Sequence, residues 1–444
     1  MEIVSEILPL PGLAPGEAVA GGIAGGITTG QWSLPHAPAM PLLYRFTSRL
    51  LEVRNLATAA LDMPEALATL STAQLQAGIA EELEILMVTP VHLNQTTHFL
   101  IILREAVAKA MRLCVFNPFT LLIHPISTPV YHRIRSISVS APLSAGSGTS
   151  TEWEYAVVCF GLSGGRALIG NLTIGPDGSQ LTALEKLVIA GHKSNVSCSF
   201  CREAPGTNGR SLVFLGLASG NVAVVEYCPY GLNRTRIIGI VPVGKPQLGS
   251  AARISAAVVG SGRFVLAVGH STSAHTKVHS DRKSSLAAVS VHSIAFGGDK
   301  ISQAHVEITQ IGTVFLQLLT YDEYDAKSDP TKHAITNADI VDLAVVDIDN
   351  TTQTGGADAP RSIVVAVLAS TSIDDTVSSP YSHSGPEPYS RNRLLHTLFN
   401  AWAFNEQTLE LVTISSQNST VSDAVLGMQI SGSAAQIDIV TGRK

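Results

Sequence analysis

Two cysteines three positions apart, Cys198 and Cys201 in "NVSCSFCREAPG" (Asn195–Gly206), have a spacing at which cysteines do chemistry. Such a pair holds zinc when a second Cys/His pair completes a tetrahedron. It carries out redox exchange when a helix N-terminus lowers a thiol pKa. Neither context accompanies it. Cys228 has no companion, and the following "REAPGTNG" reads as a turn. On a strand, side chains alternate between faces, so Val196, Cys198 and Phe200 are expected to point together and Cys201 away from them. Two thiols on opposite faces cannot share one ion. Cys198 is expected as a small buried core residue, and no metal or cofactor is expected.

Four other stretches carry motif-like spacing. "GLSGG" (Gly161–Gly165) matches the hydrolase nucleophile elbow, which needs a strand before the serine and a helix after it. Here "RALIGNLTIG" follows and reads as another strand, so Ser163 is expected in an ordinary turn. "GIVPVGKP" (Gly239–Pro246) has phosphate-loop spacing up to its lysine, but Pro246 replaces the magnesium-binding hydroxyl. "GGIAGG" (Gly21–Gly26) lacks the middle glycine of a dinucleotide loop, Ile23 standing there. "GHSTSAHTKVH" brings His270, His275 and His279 into one polar insertion, expected as a solvated loop. No catalytic residue is assigned.

One loop fits recognition instead. "TYDEYDAKSDP" (Thr320–Pro330) joins two tyrosines to four carboxylates, and Tyr321, Asp322, Glu323 and Tyr324 are the candidate contacts for a basic protein surface.

The composition narrows the classes. Apolar residues make up 45% of the 444-residue chain and charged residues 14%, which describes a globular chain. Val, Ile, Ser, Thr and Gly are plentiful, favouring strands and turns. A net charge of −6 gives no electrostatic reason to bind nucleic acid or an anionic membrane. Five irregularly spaced cysteines argue against a disulfide framework. Glu2 and Glu6, with no Arg or Lys before Arg45, do not suit a secretory or mitochondrial leader. No apolar run approaches the ~20 residues needed to span a bilayer. The expectation is an intracellular protein, cytoplasmic or nuclear, with no membrane span.

The elements that would position these residues emerge from an internal repeat. "YAVVCFGLSGGRALIG" (Tyr155–Gly170) aligns with "RSLVFLGLASGNVAVV" (Arg210–Val225), pairing Val158 with Val213, Gly161 with Gly216, Leu162 with Leu217 and Gly165 with Gly220. Each copy is a strand, a small-residue turn and a second strand. Related units follow in "RISAAVVGSGRFVLAVGH", "SSLAAVSVHSIAF", "VEITQIGTVFLQ", "ADIVDLAVVDI", "RSIVVAVLAS", "LFNAWAF" and "LELVTIS". An earlier four-strand set reads "EILMVTPV", "HFLIILRE", "RLCVFNP" and "FTLLIHPI". Repeated units that cannot bury their faces alone stack into a ring of blades. The fold expected is all-β, a β-propeller of six to seven four-stranded blades.

The stretch around Cys198 resembles a WD-repeat blade. Gly191-His192 matches the Gly-His position, Gly220 the turn glycine, and Val225-Glu226 stands where Trp-Asp is usual. Ser219 replaces the aspartate before the turn, so the family's His–Asp–Trp hydrogen-bond arrangement is not expected. The resemblance implies a divergent WD-repeat-like propeller acting as a non-catalytic platform for protein partners. The rival expectation is a propeller enzyme, a hydrolase or lyase, with its site at the central channel.

Two further expectations concern organisation. Residues 1–40, rich in Gly, Pro and Ala, read as an irregular extension, and residues 41–444 as the propeller. Within it, Thr58–Leu86 shows helical spacing of Leu67, Leu70, Leu75, Ile79 and Leu83, a short helical insertion that leaves room for a seventh blade in residues 56–90. The tail Val425–Lys444 reads as two strands, so the ring is expected to close by pairing with Pro41–Asn55.

Overall fold

The computed structural model describes residues 2–8, 24–30, 40–55, 66–75, 82–130, 133–145, 153–175, 178–203, 210–229, 234–242, 248, 250–259, 263–271, 287–297, 305–316, 338–348, 362–373, 394–405, 408, 410–421, 425–433 and 436–443. These form six four-stranded antiparallel blades and a three-stranded terminal sheet.

Strand β1 (Glu2–Leu8) belongs to the terminal sheet. Blade one is β2 (Ala24–Gly30), β3 (Met40–Phe46), β4 (Leu50–Asn55) and β5 (Ala66–Ser71). Blade two is β6 (Leu83–Leu93), β7 (Thr96–Glu105), β8 (Met111–Phe116) and β9 (Ile123–Val130). Blade three is β10 (Ile134–Val139), β12 (Trp153–Leu162), β13 (Arg166–Gly175) and β14 (Gly178–Val188), with the short β11 (Leu143–Ala145) added to β12. Blade four is β15 (Val196–Glu203), β16 (Ser211–Leu217), β17 (Val222–Tyr227) and β18 (Thr235–Val241). Blade five is β19 (Ser250–Val259), β20 (Arg263–Ser271), β21 (Ala288–Gly297) and β22 (His305–Phe315). Blade six is β23 (Ala338–Ile348), β24 (Ser362–Ile373), β25 (Leu394–Asn405) and β26 (Glu410–Val421). The chain ends with β27 (Val425–Ser433) and β28 (Gln436–Arg443).

Burial explains the strand compositions. A blade is covered on both faces by its neighbours, so its middle strands must be apolar throughout rather than alternating. In β16, "SLVFLGL", every residue is buried, and β17 is buried throughout as well. The cores lie between consecutive blades. Phe99 and Leu51 share one between blades one and two; Phe160 and Leu100 lie between two and three. Tyr155 and Val213 lie between three and four; Phe214 and Phe264, with ring centroids 6.3 Å apart, between four and five. Trp402 and Val265 join five to six, and Met428 joins the terminal sheet to six. Strand β2 packs on β27, so the ring closes on itself. The first strands of successive blades neighbour one another and therefore surround the axis.

A repeated device locks the ring. The first strands β6, β10, β15, β19, β23 and β27 each carry an irregularity in register near their start, between Ile85/Met87, Ile134/Ser136, Val196/Cys198, Ala251/Arg253, Ile340/Asp342 and Val425/Gly427. A bulge of this kind re-aims side chains and bends the strand. In blades three to five the second strand answers with a glycine. A Cβ on Gly161 would lie 2.7 Å from Val196 Cγ1, one on Gly216 3.0 Å from Ala251 Cβ, and one on Gly269 2.8 Å from Ile340 Cδ1. Each glycine thus receives the residue that opens the bulge of the next blade. The turn glycines have a different role: Gly165 and Gly220 have φ of 65° and 93°, the left-handed region that L side chains rarely adopt.

Hydrogen bonds run between the blades at the same time. Thr28 Oγ1 lies 3.2 Å from His92 Nε2, and the Asn94 amide donates to Glu154 Oε2 at 2.6 Å. Ser138 donates to Ser199 Oγ at 2.9 Å, and Arg202 to the Ala256 carbonyl at 2.8 Å. The Val345 amide donates to Ser255 Oγ at 3.0 Å, and the Met428 amide to Asp342 Oδ2 at 3.0 Å.

The expected closing strand is corrected, and the bounds of neighbouring elements are sharpened. Pro41–Asn55 does not close the ring: it lies in β3 and β4, inside blade one. The closing strand is β1, which pairs parallel to β28 from Glu2↔Gln436 to Leu8↔Gly442. Residues 1–40, expected as an extension, therefore include two strands, β1 and β2; residues 9–23 and 31–39 lie outside the described residues. The helical insertion is confined to α1 (Thr72–Leu75), whereas Leu67 and Leu70 lie in β5 and Leu83 in β6. Ile79 lies outside the described residues. The space allotted to a seventh blade holds the last strand of blade one and the first of blade two.

Candidate functional site

The axis is where side chains from several blades can meet. On β19 the bulge between Ala251 and Arg253 leaves the Arg253 side chain exposed, and its Nε donates to the Val341 carbonyl at 3.0 Å. On β23 the corresponding bulge precedes Asp342, whose Oδ1 and Oδ2 accept the amides of Leu343 at 2.9 Å and Met428 at 3.0 Å. Tyr44 arrives from β3, opposite Gly26 of β2. A Cβ on Gly26 would lie 2.8 Å from the Tyr44 hydroxyl, so only glycine lets the ring lie across the inner strand. The other side of that ring rests on Phe99, centroids 5.2 Å apart.

These three groups feel one another across the ring. Burial raises the Tyr44 phenol well above its ordinary range, the Asp342 charge adds to that, and Arg253 opposes it. Burial also raises the Asp342 carboxyl, against the Met428 amide, the Arg253 charge and the Leu343 amide. Asp342 is thus a carboxylate engaged by two backbone donors, of which the Met428 amide ties blade six to the terminal sheet. A hydrolase or lyase site would need a second titratable partner in proton-transfer contact with it. No hydrogen bond from Asp342 to an imidazole or carboxyl is found among the described residues. Nor do any three His, Cys, Asp or Glu among them gather as a metal site.

Elsewhere the polar residues serve the blades. Cys198 and Cys201 face opposite interblade cores. Cys198 is buried and its thiol is pushed up to about 12 by burial. Val196 was expected beside Cys198 but packs with Cys201, because the bulge at Ser197 reverses the parity. Ser163 sits in the β12–β13 turn, where Arg166 Nε donates to its carbonyl at 2.9 Å, and a strand rather than a helix follows. Ala24, Gly25 and Gly26 of the glycine-rich stretch lie in β2, and Gly239–Val241 of the phosphate-loop match in β18; residues 243–247 lie outside the described residues. Glu226 is buried and ion-paired to Arg210 at 2.8 Å and Arg236 at 3.1 Å, holding β17 to the start of β16 and to β18. His270 is not in a solvated loop: it is buried in β20, with Nε2 2.8 Å from Ser290 Oγ. His275, His279, Tyr321, Asp322, Glu323 and Tyr324 lie outside the described residues.

Two buried histidines set a pH dependence. His98 has Nδ1 3.1 Å from the Thr96 carbonyl and Nε2 3.5 Å from Asn117 Nδ2, contacts that the neutral ring satisfies with one donor and one acceptor. Burial lowers His98 and His292 from 6.5 to about 4. Their stabilising contribution is complete above pH 6.5 and is lost as pH falls towards 4. Each adds a slope of about 1.4 kcal/mol per pH unit within that window. Thermal melting across pH 7 to 4.5 should show this decline, and His98→Gln or His292→Gln should flatten it. An unchanged slope in both variants would contradict the assignment.

Comparison with known proteins adds likeness without identity. No protein-family model matches the chain, and no curated protein does either. Among solved structures, it is similar to the β-propeller domain of Nup133 from Vanderwaltozyma polyspora, with 8% identity, TM-score 0.42, and coverage of 87% of this chain and 85% of that one. It is also similar to the C-terminal WD40 domain of Sif2, with 10% identity, TM-score 0.39, and coverage of 91% and 90%. A post-proline cleaving enzyme from Rickettsia typhi gives 9% identity, TM-score 0.33, and coverage of 93% and 56%. These scores carry no functional inference. The sheet order and ring closure themselves define a β-propeller of six four-stranded blades among the described residues. No helix among the described residues is long and apolar enough to cross a membrane.

Proposed function

We propose that the chain is a non-catalytic interaction scaffold, a subunit or adaptor of an intracellular multiprotein complex. One observation carries this reading: the polar groups of the first strands are engaged in holding blade to blade. Ser138, Arg202, Arg253, Ser255 and Asp342 each bond to the next blade or sheet. What such a body offers is a rigid ring with two faces and a rim. The acidic stretch with Tyr321, Asp322, Glu323 and Tyr324 is our assigned contact for a basic protein partner, supported by its pairing of aromatic and carboxylate side chains. The net charge of −6 favours protein over nucleic acid as the partner.

The experiment is affinity purification of the tagged full chain, run beside a panel of ester, peptide and glycoside substrates. Near-stoichiometric protein partners are expected. They should be lost or weakened at least tenfold when Tyr321 and Tyr324 are both changed to Ala, with no substrate turned over. Turnover that disappears in Asp342→Asn would overturn the reading in favour of a channel enzyme.

A further inference from the structure

Cys159 and Cys201 meet between blades three and four. Cys159 lies in β12 with no exposed surface, Cys201 in β15 with 5%, and both belong to the core the two blades share. The Cys201 thiol is near enough to the Cys159 thiol to raise it. Ser138, the direct cross-strand partner of Cys159, places its Oγ 3.2 Å from Cys201 Sγ and 2.9 Å from Ser199 Oγ. The backbones approach closely here. Gly161 lies two positions along β12 from Cys159, and a Cβ on it would fall 2.1 Å from Ser136 Oγ and 2.7 Å from Val196 Cγ1 of β15. Sheets separated by full side chains stand about 10 Å apart, and this glycine removes one layer of atoms. All five cysteines are free thiols, and Cys198 faces away into the core shared with blade five.

We propose that Cys159 and Cys201 are a reversible disulfide site that covalently staples blade three to blade four. The oxidant is a small-molecule disulfide or azo compound. Two S–H bonds break and one S–S bond forms. The two electrons and two protons pass to the oxidant, turning an azo N=N into HN–NH, or a disulfide into two thiols. The neighbouring Cys201 thiol, together with burial, raises the Cys159 thiol, so the thiolate arises only when the interface opens. The rate of oxidation is therefore governed by local opening between the blades. The bond encloses the rest of blade three, and a loop of that length stabilises chiefly by restricting the unfolded chain. This site rests on the fold alone and is independent of the scaffold reading.

The test treats the full chain with diamide, alkylates the remaining thiols and maps the digested peptides by mass. Cys198→Ser serves as a second protein, because Cys198 and Cys201 share a peptide. A Cys159–Cys201 link is expected in both proteins, with a rise in Tm of about 5 °C that dithiothreitol reverses. Mild urea should speed its formation at least tenfold by promoting opening. A link from Cys159 to Cys228, or full alkylation of Cys159 after diamide in mild urea, would overturn the proposal.

Discussion

Gly161→Val is expected to cost about 3 kcal/mol or more, at the upper end of what overpacking a filled core does. The valine Cβ would stand 2.1 Å from Ser136 Oγ and 2.7 Å from Val196 Cγ1, and its methyl groups would press further into β15. Neither neighbour has room to retreat. Ser136 is buried on β10 directly opposite Gly161, and Val196 is fully buried at the bulge. Gly216→Val should do the same one blade later, where a Cβ meets Cys198 Sγ at 2.4 Å and Ala251 and Ile254 at 3.0 Å. Neither glycine has a positive φ, so the cost is steric, and the usual gain from replacing a flexible glycine only partly offsets it. Gly175→Ala is the control, its nearest atom being the Gly178 carbonyl oxygen at 3.8 Å, and it should melt within about 1 °C of the parent chain. If Gly161→Val and Gly216→Val melt with the control, the glycine–bulge contact between blades is not there.

These same glycines show how far the sequence could be read. Aligning Gly161 with Gly216 and Gly165 with Gly220 separated two roles without saying so: the second pair forms turns with positive φ, the first admits the neighbouring blade. Apolar runs such as "SLVFLGL" and "HFLIILRE" located middle strands correctly, because a strand covered on both faces must be apolar at every position. The bulges escaped, since the extra residue is Ser197 in one blade and Val341 in another and leaves no shared signature. That is why Val196 was placed on the wrong face, and why Arg253 and Asp342 were not seen to approach the axis. The leucine spacing after Thr58 misled in a different way. Leu67 and Leu70 fit a helical stripe, but they lie in β5, where the pairing of β5 with β4 overrides local propensity. Closure by β1 was hidden twice over: "EIVSEIL" lacks the alternation of a half-buried strand, and its partner lies far away in sequence.

Deleting residues 1–8 is the second large effect expected. The terminal sheet would lose its seven-residue parallel ladder with β28, and at about 1 kcal/mol net per backbone hydrogen bond that is a few kcal/mol in all. Strand β28 would become an unpaired edge, which invites association between molecules. The truncated chain should therefore melt well below the full one and associate with rising concentration. Because β2 packs against β27, blade one is also expected to loosen. Closure of the ring by its own first strand is the central structural claim, and amide hydrogen exchange along Gln436–Arg443 tests it most directly. In the full chain, the β28 amides facing β1 and those facing β27 should both be protected. After deletion of residues 1–8, the set facing β1 should exchange nearly as fast as free peptide, while the set facing β27 keeps much of its protection. Equal protection of β28 in the two proteins would contradict closure by Glu2–Leu8.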